Sequence, residues 1–519
     1  MKKFFVTTLA VMLAMGVSAA KKTPAKLQFD SSKGVAGSVT MPQGDIVNYT
    51  AFTKLYFVTN VEDSTYQYMN VFVPNGATQQ SPIFLRTYIG GYMASQASMP
   101  QGADATGRAL KEGYVVVIPG SRGRGSTVTK GKKTIYTGRA PKGLLDLKAA
   151  VRYLRLFDKD MLGDAEKIIT DGTSAGGVMS SLVGATGNNP AYDKYLNAMG
   201  AADTRDDVFA SVCYCPITDL DHADMDYEWL YNGTNSRQQT DEAHKTVSAE
   251  LAKLFPAYIN SLNLKKPDGT SLNADNYLAY IKSEIIRSAQ IAKNAGADIP
   301  DSIGFTFSQN GGFGMPPING GRFGKMDGKM PLKRLNGKKP EGMPPGDLRG
   351  GKPEGSPQMM MGGSKQVGEY ITDLDMAKYL NYVVSTQPLK SAPAFDAQGV
   401  AGNNATGENE EFGNESGSSV NFTDYSATKS NAVVADDVKE SVRLMNPMNF
   451  IGDSQTTVAP HWYIRHGARD RDTAFPVPVN LATKLQNAGK DVNFLLAWNR
   501  PHSGDYALDE LFVWIKSLK

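Results

Sequence analysis

The stretch "EKIITDGTSAGGVMSSLVGAT", residues 166–186, restricts this chain more than any other. An apolar, strand-forming run ends in a turn where Gly172, Gly176 and Gly177 crowd around Ser174, and an apolar helical pattern begins at once. A strand that passes straight into a helix through such a turn lays the helix back on its own sheet, which is how a parallel α/β layer is built. With 52 glycines in 519 residues, a G-x-S-x-G match also arises by chance, so the neighbouring segments must decide its meaning.

Those segments repeat the pattern. Residues 45–125 contain the apolar runs "LYFVTNV", "YQYMNVFVPNG", "SPIFLRTYIGG" and "GYVVVIPGSRGRG", read as strands, two of them ending in glycine-rich turns. "APKGLLDLKAAVRYLRLF" carries apolar residues at helical spacing behind Pro141. Near the end, "APHWYIRHGARDRDT" reads as a strand and a polar loop, "PVPVNLATKLQNAGK" as a helix and "VNFLLAW" as a strand. The loop "NRPHSGDY" and the closing helix "ALDELFVWIKSLK" follow. The predicted fold class is therefore α/β, a mainly parallel sheet flanked by helices, with its core at 21–218 and 440–519. Residues 219–439 differ: "HKTVSAELAKLFPAYINSL" and "NYLAYIKSEIIRSAQIAKNAG" predict a mostly helical inserted cap. Inside it, residues 309–365 are rich in Gly, Pro, Met and Lys, with nine Lys or Arg against four Asp or Glu between 322 and 354. Such a composition buries too little apolar surface to offset its ordering entropy, and a disordered, solvated basic loop is expected.

Other classes are set aside on composition. Met1-Lys2-Lys3, the apolar run Phe4 to Val17 and Ser18-Ala19-Ala20 have the layout of a secretory signal peptide over 1–20. No cysteine follows that run to carry a lipid, and no later segment offers the ~20 apolar residues of a membrane span. A soluble, exported protein is expected, periplasmic or extracellular. A net charge of +3 argues against a nucleic-acid binder. The only cysteines, Cys213 and Cys215, would share one face of a strand, where a bridge is strained, so two free thiols are expected. In "TDLDHADMDYEW", Asp219, Asp221, His222, Asp224 and Asp226 match no ion-binding loop, and neither a metal nor a cofactor is predicted.

A hydrolase serine on a strand-to-helix elbow needs a strand before it, small residues around it and a helix after it, and Ser174 has all three. Ala175 would then offer its backbone N–H to an oxyanion at the helix N-terminus, and "RTYIGGYM" would supply a second amide from Gly90 or Gly91. The base follows from chain order, Ser then acid then His. Of five histidines, His502 lies in the loop after the last strand, His466 is a weaker rival at a strand end, and His461, which begins that strand, reads as structural. The acid lies in "RHGARDRDTAF", where spacing leaves Asp470 and Asp472 equally placed.

Beyond the elbow, "YIGGYM", "GSRGRG", "DGTSAGG", "PITDLDHADMDYEW", "LKSAPAFD", "ENEEFG", "RHGARDRDT" and "PHSGDY" together resemble the bacterial tannases, from about residue 80 to the end. The resemblance implies an α/β-hydrolase core with a cap that recognises a galloyl group. It makes Ser174 the nucleophile, Asp470 the acid and His502 the base, and it makes Lys390, Glu408 and Asp472 ligands of the galloyl hydroxyls. The stretch before "ENEEFG" is a few residues longer than the family pattern, which leaves Glu410 and Glu411 as alternatives to Glu408. Fungal tannases and feruloyl esterases pair cysteines beside the catalytic Ser and His; Thr173 and Pro501 stand there in this chain. The expected partner is a small galloyl or related phenolic ester. The rival readings are a feruloyl or other aromatic-acid esterase, a serine peptidase of similar fold, and a catalytically silent binding protein.

Overall fold

The computed structural model describes residues 26–308 and 369–518. The segment read as a signal peptide and the basic loop of residues 309–365 lie outside the described residues. Nine strands form the main sheet: β1 (Val35–Thr40), β2 (Ile46–Tyr56), β3 (Tyr68–Pro74), β4 (Pro82–Arg86), β5 (Val115–Pro119), β6 (Asp164–Thr173), β7 (Ala210–Tyr214), β8 (His461–Gly467) and β9 (Asp491–Ala497). Their order is β1-β2-β3-β5-β4-β6-β7-β8-β9. Pairing is antiparallel from β1 to β5 and parallel from β5 through β9. The expected mainly parallel α/β sheet is what forms.

Side-chain alternation divides the core in two. In β4, β5 and β8, Ile83, Leu85, Val115, Val117, Trp462 and Ile464 face one apolar layer. Their neighbours Phe84, Val116, Ile118 and Tyr463 face the other, beneath Leu511, Phe512 and Ile515 of the closing helix. A strand buried on both faces reads as a continuous apolar run, which is why these strands stand out in the sequence. Helices Lys142–Leu156, Ala175–Ala185, Pro476–Asn487 and Leu508–Ser517 fall where the helical spacing placed them.

Three elements depart from expectation. "LYFVTNV" is only partly strand, because β2 begins at Ile46 and ends at Tyr56. A short helix, Ala105–Lys111, fills the connection between β4 and β5; Asp104 caps it by accepting from the Thr106 N–H at 2.8 Å. Two small antiparallel pairs also form, Thr127–Lys130 with Lys133–Tyr136 and Phe305–Ser308 with Tyr370–Leu374. The helix and the two small pairs are too short to rise above loop composition.

Helices Leu220–Tyr231, Glu242–Ala252, Phe255–Ser261 and Ala274–Asn294 make the first part of the insertion. Short helices at Met376–Val383, Gly407–Glu411, Asp424–Lys429 and Asp436–Leu444 make the second. Their buried faces, including Tyr227, Tyr231, Phe255, Tyr277, Ile281 and Tyr379, join the same apolar cluster as Val178, Met179 and Leu481 of the core. The insertion is thus seated on the sheet's helical layer through one continuous core.

Beside the carboxyl edge of the sheet, the segment after β5 is held by buried charge. Arg122 spans Asp146 of the Lys142–Leu156 helix (2.8 Å) and Glu62 (2.5 Å), and Asp146 also accepts from the Arg122 backbone at 2.8 Å. Removing one partner of a buried pair strands the other charge. Asp146→Ala is expected to cost about 3–5 kcal/mol of folding free energy in urea unfolding, whereas removing an exposed carboxylate such as Asp424 costs under about 1 kcal/mol.

Candidate active site

Ser174 stands between β6 and the Ala175–Ala185 helix at φ 58° and ψ −126°, a conformation a side chain adopts only under constraint. Its N–H donates to the Tyr214 carbonyl of β7 at 2.9 Å. Glycine is needed at 172, because a Cβ there would overlap the Gly176 carbonyl in the first turn of the helix. The serine hydroxyl therefore stands at the sheet's carboxyl edge, where loops after the other strands converge.

His502 Nε2 lies 2.8 Å from Ser174 Oγ, and His502 Nδ1 lies 2.7 Å from Asp470 Oδ2. Asp470 is fully buried and its other oxygen accepts the Asp472 N–H at 2.8 Å. Burial works against the Asp470 anion, but the facing imidazoles of His466 and His502 outweigh it and hold the carboxyl down at about 2. Burial likewise opposes charge on His502, and the Asp470 carboxylate overcomes it to raise the imidazole's proton affinity. Of the two aspartates that spacing left equally placed, Asp470 is the one in contact with His502, and Asp472 instead pairs with Arg471 at 2.6 Å.

Of the remaining histidines and thiols, His466 and Cys215 lie beside this row. His466 is buried behind Asp470, its Nδ1 3.6 Å from Asp470 Oδ2. His461 sits at the opposite end of β8, paired with Asp491 at 2.9 Å. Cys213 and Cys215 are free and buried. Cys215 donates to the Ser503 carbonyl at 3.3 Å, and its sulfur lies within 4.8 Å of ligand atoms of Asp470 and His502. Sequence reasoning gave Cys215 no place beside the row; its position just past β7 was the available signal. Asp219, Asp221 and His222 form a second close group, knit internally by His222 Nδ1 to Asp219 at 2.9 Å and Asn446 to Asp221 at 2.7 Å.

The residues assigned to a galloyl group surround the same edge. Tyr227 holds one of them and the neighbour of another: its hydroxyl accepts the Lys390 N–H at 3.2 Å and donates to the carbonyl of Arg471, the residue before Asp472, at 2.8 Å. Lys390 Nζ lies 4.2 Å from the centre of the Phe395 ring. Glu408 opens the Gly407–Glu411 helix, close enough to Tyr92, the residue after Gly91, for its charge to be felt there. Glu410 is engaged by Arg124, and Glu411 is buried, pushed up to about 8 by desolvation. Of the three glutamates, Glu408 is the one left half-exposed without an arginine partner among the described residues. The amides of Ala175, Gly90 and Gly91 likewise have no hydrogen-bond acceptor among the described residues.

A second network was not foreseen. Arg86, at the end of β4, makes two bonds of 2.8 and 2.9 Å to Asp505 and also pairs with Asp171 of β6. Asp505 lies three residues beyond His502, so the arginine ties the histidine loop to the strand that carries Ser174. Burial pushes Asp171 up to about 7 despite Arg86.

A serine elbow at the edge of a mainly parallel sheet, with an imidazole and carboxylate on the loops that follow, is the arrangement of the α/β-hydrolase ester hydrolases. A family model described as BD-FAE matches residues 69–258. The Fusobacterium nucleatum tannase superposes with a TM-score of 0.77 at 33% identity, covering 95% of this chain and 99% of that one. The native tannin acyl hydrolase of Lactobacillus plantarum gives 0.76 at 32%, covering 95% and 98%. A tannin acyl hydrolase in complex with ethyl gallate gives the same TM-score, identity and coverage. The chain belongs to the tannase family and is a carboxylic ester hydrolase. A comparison with curated proteins finds no match.

Arg86→Met leaves Asp171 and Asp505 facing each other without a cation, and is expected to cost about 3–5 kcal/mol near neutral pH. A carboxyl whose folded pKa is raised binds a proton more tightly when folded, so the loss should shrink as pH falls from about 8 toward 4. Urea unfolding of the variant and the parent across that range measures it.

Proposed function

We propose that this protein is an exported serine esterase that hydrolyses galloyl esters, in tannins or alkyl gallates, to gallate and an alcohol. The observation that carries the reading is the continuous row Ser174–His502–Asp470, set at the strand ends of a chain about one-third identical to tannin acyl hydrolases over 95% of its length. Among these structures, tannin acyl hydrolase is seen in complex with ethyl gallate and in complex with 3,4-dihydroxybenzoate. The export reading rests on the charged, apolar and small-residue order of Met1 to Ala20.

In the first half-reaction, His502 Nε2 takes the Ser174 proton as Oγ attacks the ester carbonyl. Asp470 holds Nδ1–H and stabilises the imidazolium. The tetrahedral oxyanion is held by the Ala175 N–H and an amide of the Gly90-Gly91 turn, aided by the N-terminus of the Ala175–Ala185 helix. The carbonyl re-forms as the alcohol leaves with the proton from His502, giving an acyl-serine. Water, deprotonated by His502, then releases gallate and restores Ser174. Glu408 and Asp472 accept hydrogen bonds from the phenolic hydroxyls, and the Lys390 ammonium donates to their oxygens.

Hydrolysis of methyl gallate, methyl benzoate and methyl ferulate by the mature protein and its Ser174→Ala variant tests the reading. Preference for the gallate ester, lost with Ser174, is the expected result; equal cleavage of all three would leave a general aromatic esterase. Asp470→Asn is expected to lower kcat by about 10⁴-fold. His502 must be neutral to accept a proton, so kcat/KM falls as pH drops through its pKa. Asp470 raises that pKa, and the acid limb of the variant's pH profile should therefore move to lower pH.

A further inference from the structure

The turn at residues 90–93 closes through the Met93 N–H on the Gly90 carbonyl at 3.0 Å, and both central residues have positive φ, 54° at Gly91 and 57° at Tyr92. Only primed turns take that form, and a tyrosine there is held against its preference. Because a peptide is planar, engaging the Gly90 carbonyl points the Gly91 N–H to the opposite side. What then keeps the strained turn in place is Arg124, the second arginine of "GSRGRG". Its Nε donates to the Gly91 carbonyl at 2.7 Å and its backbone N–H to the Tyr92 carbonyl at 2.9 Å. One residue thus grips both central carbonyls. Its Nη1 reaches away from the core to an ion pair with Glu410, on the cap helix that begins with Gly407 and Glu408. Two residues earlier, the buried Arg122–Asp146 pair anchors the segment from which Arg124 works.

We propose that Arg124 is a positioning residue that couples the cap's acyl-recognition helix to the oxyanion turn. It keeps the Gly90 and Gly91 amides in donor geometry and, through Glu410, links that geometry to the seating of Glu408. The inference rests on the assignment of those amides to the oxyanion. Guanidinium is required because one fork must satisfy the Gly91 carbonyl and the Glu410 carboxylate together, which a single ammonium on a flexible stem does not do. The cap therefore acts on kcat as well as on affinity.

The test compares Arg124→Ala, Arg124→Lys and Glu410→Gln on methyl gallate and on 4-nitrophenyl acetate, which has no ring hydroxyls for the cap to read. Loss of aligned oxyanion donors predicts that Arg124→Ala lowers kcat about tenfold to a hundredfold on both esters. The KM for methyl gallate and competitive inhibition by free gallate should stay within about threefold, as expected when an interaction made only in the transition state is lost. Arg124→Lys should not restore kcat. Glu410→Gln should give a smaller loss, and the double variant should be no worse than Arg124→Ala alone. Retained inhibition by gallate reports a folded pocket; if the alanine variant does not fold, Arg124→Gln gives the same readout. An unchanged kcat, or a defect confined to KM for methyl gallate, would overturn the proposal and leave Arg124 as a cap contact. If the parent cleaves the acetate through Ser174 but not methyl gallate, the galloyl assignment fails, while the effect of Arg124 on acetate turnover still decides this inference.

Discussion

Holding Ser174 at φ 58° costs of the order of 1–3 kcal/mol, and much of the sheet's carboxyl edge serves to hold it there. The Tyr214 carbonyl takes its N–H, and Gly172 lets the helix approach the strand. That helix lies in the apolar layer through Val178, Met179 and Leu182. A serine presented this way has its hydroxyl clear of its own backbone and its neighbouring amides turned toward the same space. The loops after β4, β8 and β9 then need only be brought to that point.

They are brought there largely by charge removed from water. Asp470 lies between two imidazoles, so one buried anion faces two groups able to carry its counter-charge, and the row keeps its polarity without a distant partner. Arg86 closes on Asp171 and Asp505, tying the histidine loop to β4 and β6. Arg122, buried on Asp146, fixes the segment from which Arg124 bonds the Gly91 and Tyr92 carbonyls. Buried pairs of this kind add little net stability over an apolar replacement, but they fix geometry, since breaking any one leaves a costly unpaired charge. The site is thus a set of loops whose positions are specified by ion pairs beneath them.

Much of this was legible in the chain. Continuous apolar runs exposed β4, β5 and β8 because those strands are buried on both faces, and helical spacing exposed the helices from 142, 175, 476 and 508. The strand-glycine-serine-helix order located Ser174, and chain order singled out His502. The Ala105–Lys111 helix and the two small hairpins escaped because short polar elements owe their form to capping and docking rather than to periodicity. Arg86, Asp171 and Asp505 escaped because 419 positions separate the arginine from its bidentate partner. No local pattern marks such a pair.

The amino-acid order by itself determined the layered α/β fold, the elbow at Ser174 and the loops that carry the candidate base and acid, because each depends on a local period or a short-range turn. Local spacing does not separate Asp470 from Asp472, which stand two residues apart on one loop; only the tertiary structure brings Asp470 against His502 and turns Asp472 to Arg471. It also set His466 and Cys215 behind the row, left Glu408 without an ion-pair partner among the described residues where Glu410 is engaged, and gave Arg124 its hold on the turn at Gly91. These outcomes depend on directions and on burial, and both exist only once distant strands share a sheet.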